Sequence, residues 1–131
     1  MFAAAVLAND EAIEAFKSGD VEKGIEILKR SCEDGNASNC NVLGSLYKNG
    51  YGVKRDYSKA VEFYKKACEG GFTKSCVALG LMYEFGKGAA KDKNRALELY
   101  KKTCNSNDQD GCENYKRAVE GKNKFMSIFG F

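Results

Sequence analysis

Apolar residues recur along the chain at helical spacing, in stripes that return after 36 residues. The clearest stripe consists of Tyr57, Ala60, Val61, Tyr64, Ala67 and Cys68. These positions follow the i, i+3, i+4, i+7 pattern of an amphipathic helix. Asp56 directly precedes this stripe, and Asp20 and Asp92 precede its two equivalents, as residues that cap helix N-termini do. The pattern therefore predicts one helix behind each of three aspartates.

A second helix is predicted in each unit from the glycines that bound it. The Gly70-Gly71 pair is expected to end the first helix of its unit. The second helix is expected to start near Cys40 or Cys76 and to end in a Gly-x-Gly sequence, at residues 50–52 and 86–88. We interpret Gly-x-Gly as a helix end and not as a phosphate loop, because no predicted strand precedes it.

Glycine also recurs inside the second helix, at Gly44 and Gly80. A glycine there costs about 1 kcal/mol of helix stability relative to alanine. Its repetition predicts that the two helices of a unit approach closely at this point. Lys116 occupies the same position in the third unit, so the array is expected to end with that unit.

Six cysteines mark the same period. Each cysteine of one set is followed by a partner eight residues later, and both sets repeat after 36 residues. A fixed period of this size is typical of arrays in which each unit is one supersecondary element. The constant offset selects one pairing, which is Cys32–Cys40, Cys68–Cys76 and Cys104–Cys112. Reduced cysteines or a metal or redox site are the alternatives. The chain has no histidine and no Cys-x-x-Cys, so no metal and no cofactor are expected.

The period also divides the chain into domains. The repeat domain is expected over residues 9–121, with units near 20–55, 56–91 and 92–121. Residues 1–8 are apolar and end in Val-Leu-Ala, which predicts the remnant of a signal peptide. A truncated start or an ordinary helical N-terminus is the alternative, because no basic segment precedes the apolar one.

Residues 122–131 are expected to form a capping tail. Phe125, Ile128 and Phe129 fit one helical face and would cover the last helix pair. A tail that docks a partner or touches a membrane is the alternative.

Charge excludes some classes of function. Lysine, arginine, aspartate and glutamate make up 30% of the chain and interleave along the helices, with a net charge of +3. Neither a basic run nor an acidic tail is present, so no nucleic-acid partner is expected. The longest apolar run is too short to span a bilayer. An even number of regularly spaced cysteines predicts an oxidising compartment, which is the periplasm of a bacterium or its exterior.

Residues 40–53 (Cys-Asn-Val-Leu-Gly-Ser-Leu-Tyr-Lys-Asn-Gly-Tyr-Gly-Val) and 76–88 (Cys-Val-Ala-Leu-Gly-Leu-Met-Tyr-Glu-Phe-Gly-Lys-Gly) resemble Sel1-like repeats. The cysteine pairs resemble those of the secreted cysteine-rich branch, the Helicobacter cysteine-rich proteins. The resemblance covers residues 10–121. It implies an all-α fold, an α/α superhelical solenoid related to tetratricopeptide repeats, with one disulfide per repeat. It also implies secretion and a label of β-lactamase or penicillin-binding protein.

Ser45 and Lys48 are the catalytic candidates for that label, because Ser45-Leu46-Tyr47-Lys48 matches Ser-x-x-Lys. The companion Ser-Asp-Asn and Lys-Thr-Gly sequences are absent, and the second unit has Leu81 and Glu84 instead. An ordinary solvated helix face is the favoured interpretation of the pair. Whether the chain is an enzyme stays open at this point.

The favoured function is a scaffold that binds a protein or peptide on the concave face lined by the first helices. Its candidate surface consists of charged residues beside the apolar stripes: Glu26, Lys29, Arg30, Lys59, Glu62, Lys66, Arg95, Glu98 and Lys102. A solvated face with ion pairs along each helix is the alternative. A β-lactam or a small molecule derived from the cell wall is the second ligand class, and a monomer is expected.

Overall fold

The computed structural model describes the backbone of residues 2–128 and the side chains of residues 9–120. Within that part the chain is entirely helical and has no strand, which confirms the predicted all-α repeat fold. The helices are α1 (Phe2–Lys17), α2 (Val21–Glu33), α3 (Ala37–Asn49), α4 (Tyr57–Glu69), α5 (Thr73–Phe85), α6 (Lys93–Asn105) and α7 (Gln109–Ile128). The side chains of the expected signal-peptide segment, 1–8, and of the capping tail, 122–131, lie outside the described residues.

The three aspartates cap their helices as predicted. Each carboxylate accepts a hydrogen bond from the backbone N–H three residues later, at 3.0–3.1 Å. The ends of α3 and α5 are also as predicted, since Gly50 and Gly86 adopt the left-handed conformation with φ of 70° and 64°. The starts of these two helices differ from the prediction. They begin at Ala37 and Thr73, three residues before the cysteines.

Successive helices are joined by short connections and pack side by side, which makes each an antiparallel neighbour of the next. The most extensive contacts join α3 to α4 and α5 to α6, followed equally by those of α1 with α2 and of α6 with α7. Helix α1, which the stripes did not predict, covers the outer side of α2. Its Ala12 and Phe16 pack into the same cluster as Leu28 and Leu43. Each helix pair therefore completes the core of its neighbours, as in other repeat arrays.

The repeated mid-helix glycines admit a tyrosine ring. A β-carbon added at Gly44 would lie 2.6 Å from Cδ1 of Tyr64, and one added at Gly80 would lie 2.5 Å from Cε1 of Tyr100. The close helix contact was predicted correctly, but its partner was not. The ring comes from the first helix of the following unit, because α3 packs more extensively on α4 than on α2.

The second glycine of each Gly-x-Gly sequence packs the end of a unit on the start of that same unit. A β-carbon at Gly52 would lie 2.5 Å from Cγ1 of Val21, and one at Gly88 would collide with the backbone of Tyr57 and Ser58. Both glycines have positive φ, 73° and 75°. The loops that end α3 and α5 therefore rest on the starts of α2 and α4.

Candidate interaction surface

All three predicted disulfides are present, at the turns that join α2 to α3, α4 to α5 and α6 to α7. Their Cα atoms are 4.8, 4.7 and 4.4 Å apart, which is a normal separation for bridged cysteines. No cysteine is left free in the described part of the chain. The bridges hold the end of one helix against the start of the next and so fix α2, α4 and α6 each to the helix that follows it.

The residue before each cysteine also faces its counterpart across the turn. At the first turn, Nδ2 of Asn39 donates a hydrogen bond of 2.7 Å to Oγ of Ser31. At the third turn, a β-carbon added at Gly111 would collide with the hydroxyl of Thr103. The two residues are thus joined by a hydrogen bond at the first turn and matched in size at the third.

The predicted surface residues lie on α2, α4 and α6, and all except the half-buried Lys29 are exposed. We call these nine residues the α2/α4/α6 face. Within it the structure has one ion pair among the described side chains, Arg30 with Glu26 at 3.6 Å. Both partners are about 70% exposed, so this pair contributes little to stability.

Several cations of this face lie over tyrosine rings, which the sequence analysis did not predict. The Nζ atoms of Lys29 and Lys59 are 5.7 and 5.3 Å from the ring centroid of Tyr47, on which Phe63 stacks at 5.6 Å. One unit later, Cζ of Arg95 lies 5.2 Å from the ring centroid of Tyr83. The recurrence of tyrosine and of a cation twelve residues later, at 47/59 and 83/95, was the available signal.

Ser45 forms a hydrogen bond with a buried tyrosine in the structure. Its hydroxyl shares a hydrogen bond of 3.1 Å with the hydroxyl of Tyr64, whereas Lys48 is exposed. No hydrogen bond joins Ser45 to Lys48 in the described residues. One unit later, Tyr100 donates a 2.8 Å hydrogen bond to Glu84, which occupies the position equivalent to Lys48. The hydroxyl of the repeated tyrosine thus finds its hydrogen-bond partner at a different position in each unit. A catalytic role of Ser45 and Lys48 stays an untested prediction.

Glu84 also binds Arg117 and so joins three helices. The guanidinium donates two hydrogen bonds, 2.9 Å from Nη1 to Oε2 and 2.7 Å from Nη2 to Oε1. This bonding to Arg117 holds the pKa of the Glu84 carboxyl below its usual range, although burial opposes the shift. Burial, reinforced by the nearby carboxylate, raises the pKa of Tyr100 far above its ordinary value. The network fixes α7 on α5 and α6.

The structure has an open cavity with several acidic side chains, which is a candidate site for a small molecule. A cavity of about 580 Å³ lies between α1 and the start of α2 and is lined by Asp10, Glu11, Glu14 and Asp20, among others. Carboxylates that line a cavity repel an anionic ligand, and a β-lactam antibiotic carries a carboxylate. Among the described residues, no three side chains are grouped as metal ligands, and no helix is long and apolar enough to cross a membrane.

A family model described as the Sel1 repeat matches residues 14–36, 40–72 and 73–108. Its repeats are offset by about half a unit from the units defined by the apolar stripes. In this division Cys32–Cys40 and Cys68–Cys76 each join one matched repeat to the next, whereas Cys104–Cys112 joins the third match to a residue beyond it.

Individual relatives agree with this match. HcpE of Helicobacter pylori, provisionally named as a β-lactamase, is 40% identical over 45 residues, which are 34% of this chain but only 13% of that protein. The chain thus covers a small part of the curated relatives it matches. The structure of H. pylori cysteine-rich protein B is 34% identical, with a TM-score of 0.67 over 70% of this chain and 69% of that one.

Two further structures show the same fold. The protective antigen c5321 of uropathogenic Escherichia coli has a TM-score of 0.82 at 27% identity, covering 90% of this chain and 26% of that one. A Sel1 repeat protein from Oxalobacter formigenes has a TM-score of 0.78 at 25% identity, covering 86% and 87% of the two chains. Because the family model matches more than half of its residues, the chain belongs to the Sel1 repeat family.

Proposed function

We propose that the protein is an extracytoplasmic scaffold that binds a protein or peptide on the α2/α4/α6 face. The observation that carries this proposal is the repeated placement of a cation over a tyrosine, Lys59 over Tyr47 and Arg95 over Tyr83. The two cations are exposed at equivalent positions of successive units, and the rings beneath them are buried. Extended surfaces of this kind are what repeat arrays use to bind other proteins.

The disulfides support this role and the compartment. Each bridge holds two consecutive helices in a fixed relation, so the surface is ordered before a partner arrives. A preorganised surface loses less conformational entropy on binding and therefore binds more tightly for the same contacts. Structural disulfides persist in oxidising compartments, which supports a location outside the cytoplasm.

The proposal is tested by comparing charge variants of the oxidised protein in affinity capture from periplasmic extract. Lys66→Glu combined with Lys102→Glu reverses two exposed charges of the face. Lys74→Glu combined with Lys116→Glu reverses two exposed charges on α5 and α7 and is the matched control. A captured protein is then purified and its affinity for each variant is measured by calorimetry.

We expect the face variant to lose at least about tenfold in affinity and the control to stay close to the parent, because surface charges of the interface are the ones that steer its partner. Equal affinity of all three proteins would contradict the proposed face. Sedimentation of the parent alone tests the expected monomer.

A further inference from the structure

Positive charge is concentrated where the two Gly-x-Gly loops enter the next helices. We call residues 50–59 and 86–95 the loop edge. It contains two carboxylates, Asp56 and Asp92, and seven exposed cations, so its own net charge is +5. The net charge of the whole chain is only +3. The cations are Lys54, Arg55, Lys59, Lys87, Lys91, Lys93 and Arg95. The rest of the chain is therefore slightly acidic, and the loop edge is a local positive surface.

These cations have no carboxylate partner within the described chain. Asp56 and Asp92 each accept a hydrogen bond from a helix N-terminus, at 3.1 and 3.0 Å. The ion pairs of the described residues, Arg30 with Glu26 and Arg117 with Glu84, lie elsewhere. The positive charge of the loop edge is therefore available to an external anion.

Aromatic rings hold part of this charge in place. Cζ of Arg55 and Nζ of Lys87 come from successive loops and lie 5.3 and 5.5 Å from the same ring centroid, that of Tyr57. Gly88 brings the second loop into contact with the backbone of Tyr57, the residue at which α4 begins after the first loop, so the two loops are held together. The two cations are thus positioned before any ligand binds.

The shape and composition of the loop edge favour a peptide over a membrane or a nucleic acid. Tyr51, 66% exposed at the tip of the first loop, is its single exposed large apolar side chain among the described residues. Phe85, 57% exposed, directly precedes the second loop. A membrane surface would gain little from two such residues, and stacking of successive bases needs several exposed rings. Cations that recur from unit to unit can instead be contacted by an extended segment, which presents every second side chain on one side.

We infer that the loop edge binds an acidic, extended protein segment through its carboxylates. This inference rests on the proposed function and names the chemistry of the partner. Arg55 and Lys87 would contact the carboxylates, and Tyr51 would contact the aliphatic part of the segment. Lys59 and Arg95 belong to both the loop edge and the α2/α4/α6 face, so the two surfaces are continuous.

The probe is a fluorescein-labelled decapeptide of alternating glutamate and serine, measured by fluorescence anisotropy. Arg55→Glu combined with Lys87→Glu tests the loop edge. Lys65→Glu combined with Lys101→Glu introduces the same charge change at exposed positions farther along α4 and α6 and is the control. Arg55→Gln combined with Lys87→Gln removes the charges without reversing them, in case the reversed variant melts early. The same peptide with glutamine for glutamate tests the need for carboxylates.

We expect the loop-edge variants to weaken binding by about tenfold or more and the control by less than about threefold, since Coulomb interactions fall with distance and are screened. The glutamine peptide should not bind. An equal loss in the control would mean that only net charge matters and would overturn the inference. Tighter binding of oligothymidine or of vesicles containing phosphatidylserine would also overturn it, because the partner class would be wrong.

The outcome is separable from that of the proposed function. If Lys66→Glu with Lys102→Glu abolishes capture while Arg55→Glu with Lys87→Glu does not, the loop edge is wrong and the scaffold proposal stands. If neither double variant affects any ligand, both proposals fail.

Discussion

Gly80 on α5 lies directly against the buried ring of Tyr100 on α6, and a β-carbon at Gly80 would stand 2.5 Å from Cε1 of that ring. The ring cannot retreat easily, because Tyr100 is fully buried and its hydroxyl is bonded to Glu84. We therefore predict that Gly80→Ala destabilises the fold by about 1–3 kcal/mol through overpacking, despite the helix propensity of alanine. Urea unfolding measures the change.

The same change in a Tyr100→Leu background provides the control. Leucine removes the ring, so Gly80→Ala should then be neutral or stabilising. An equal loss in both backgrounds would show that the alanine acts elsewhere.

The pair beside the third disulfide should be coupled in size. Gly111 leaves space for the Thr103 hydroxyl, whereas the second turn has Ala67 and Ser75 at these positions. Gly111→Ser alone should destabilise by about 1–3 kcal/mol, and Thr103→Ala should restore most of that loss by recreating the pair of the second turn. If the effects of Gly111→Ser and Thr103→Ala were additive in a double-mutant cycle, the two residues would not be coupled in size.

Acid should weaken the Glu84–Arg117 bond. The pKa of Glu84 is lowered in the folded protein, chiefly by hydrogen bonds from Arg117. The stabilisation is therefore complete above the unfolded value of about 4.3 and is lost as the pH falls through the lower folded value. Because Arg117 is 46% exposed, we expect only about 1–2 kcal/mol. The melting temperature should change less with pH over this range for Glu84→Gln than for the exposed control Glu69→Gln. If the melting temperatures of the two variants changed equally with pH, the bond between Glu84 and Arg117 would not be the cause of the loss of stability in acid.

The three disulfides should differ in the ease of their reduction. Cys104 and Cys112 are partly exposed, whereas the other four cysteines are buried. Limiting reductant should therefore open Cys104–Cys112 first, since thiol exchange needs access to the sulfur. Peptide mapping after alkylation identifies the order. Each bridge closes a short loop worth about 2.5 kcal/mol, so complete reduction should lower the free energy of unfolding by several kcal/mol. An unchanged melting curve would mean that the bridges are not structural.

Ser45 should not be acylated by penicillin. Burial raises the pKa of Tyr64, its hydrogen-bond partner, so the phenol stays protonated at neutral pH and cannot accept the serine proton. Incubation with penicillin should leave the intact mass of the parent unchanged, and likewise that of Ser45→Ala. A mass increase that maps to Ser45 would reverse this conclusion. Ser45→Ala should cost about 1 kcal/mol, because Tyr64 loses a partner.

Local features of the fold were predictable from the sequence because they repeat or lie close together in it. The aspartate caps and the cysteine pairs all involve residues within eight positions of each other. The early start of α5 was not predictable, since Phe72 stands at its cap position and makes no side-chain cap bond. The bond between Glu84 and Arg117 spans 33 residues and appears in one unit only, so no repetition revealed it.

The candidate surface was predictable in part. Charged residues beside the apolar stripes do lie on exposed helix faces. The positions of their charges over tyrosine rings depend on packing between units, which a single amphipathic stripe does not specify. Lys59 shows the difference, because its charge reaches the ring of Tyr47 in the unit before it.

The short span of each disulfide has a consequence for how such a chain can change in length. Every cysteine finds its partner eight residues away, so no bridge depends on the number of units before or after it. A duplicated or deleted segment of 36 residues would add or remove one complete cysteine pair and leave the others correctly matched. Growth of the array by whole units therefore keeps every native partner eight residues away, and each unit can close its bridge in order as the chain emerges.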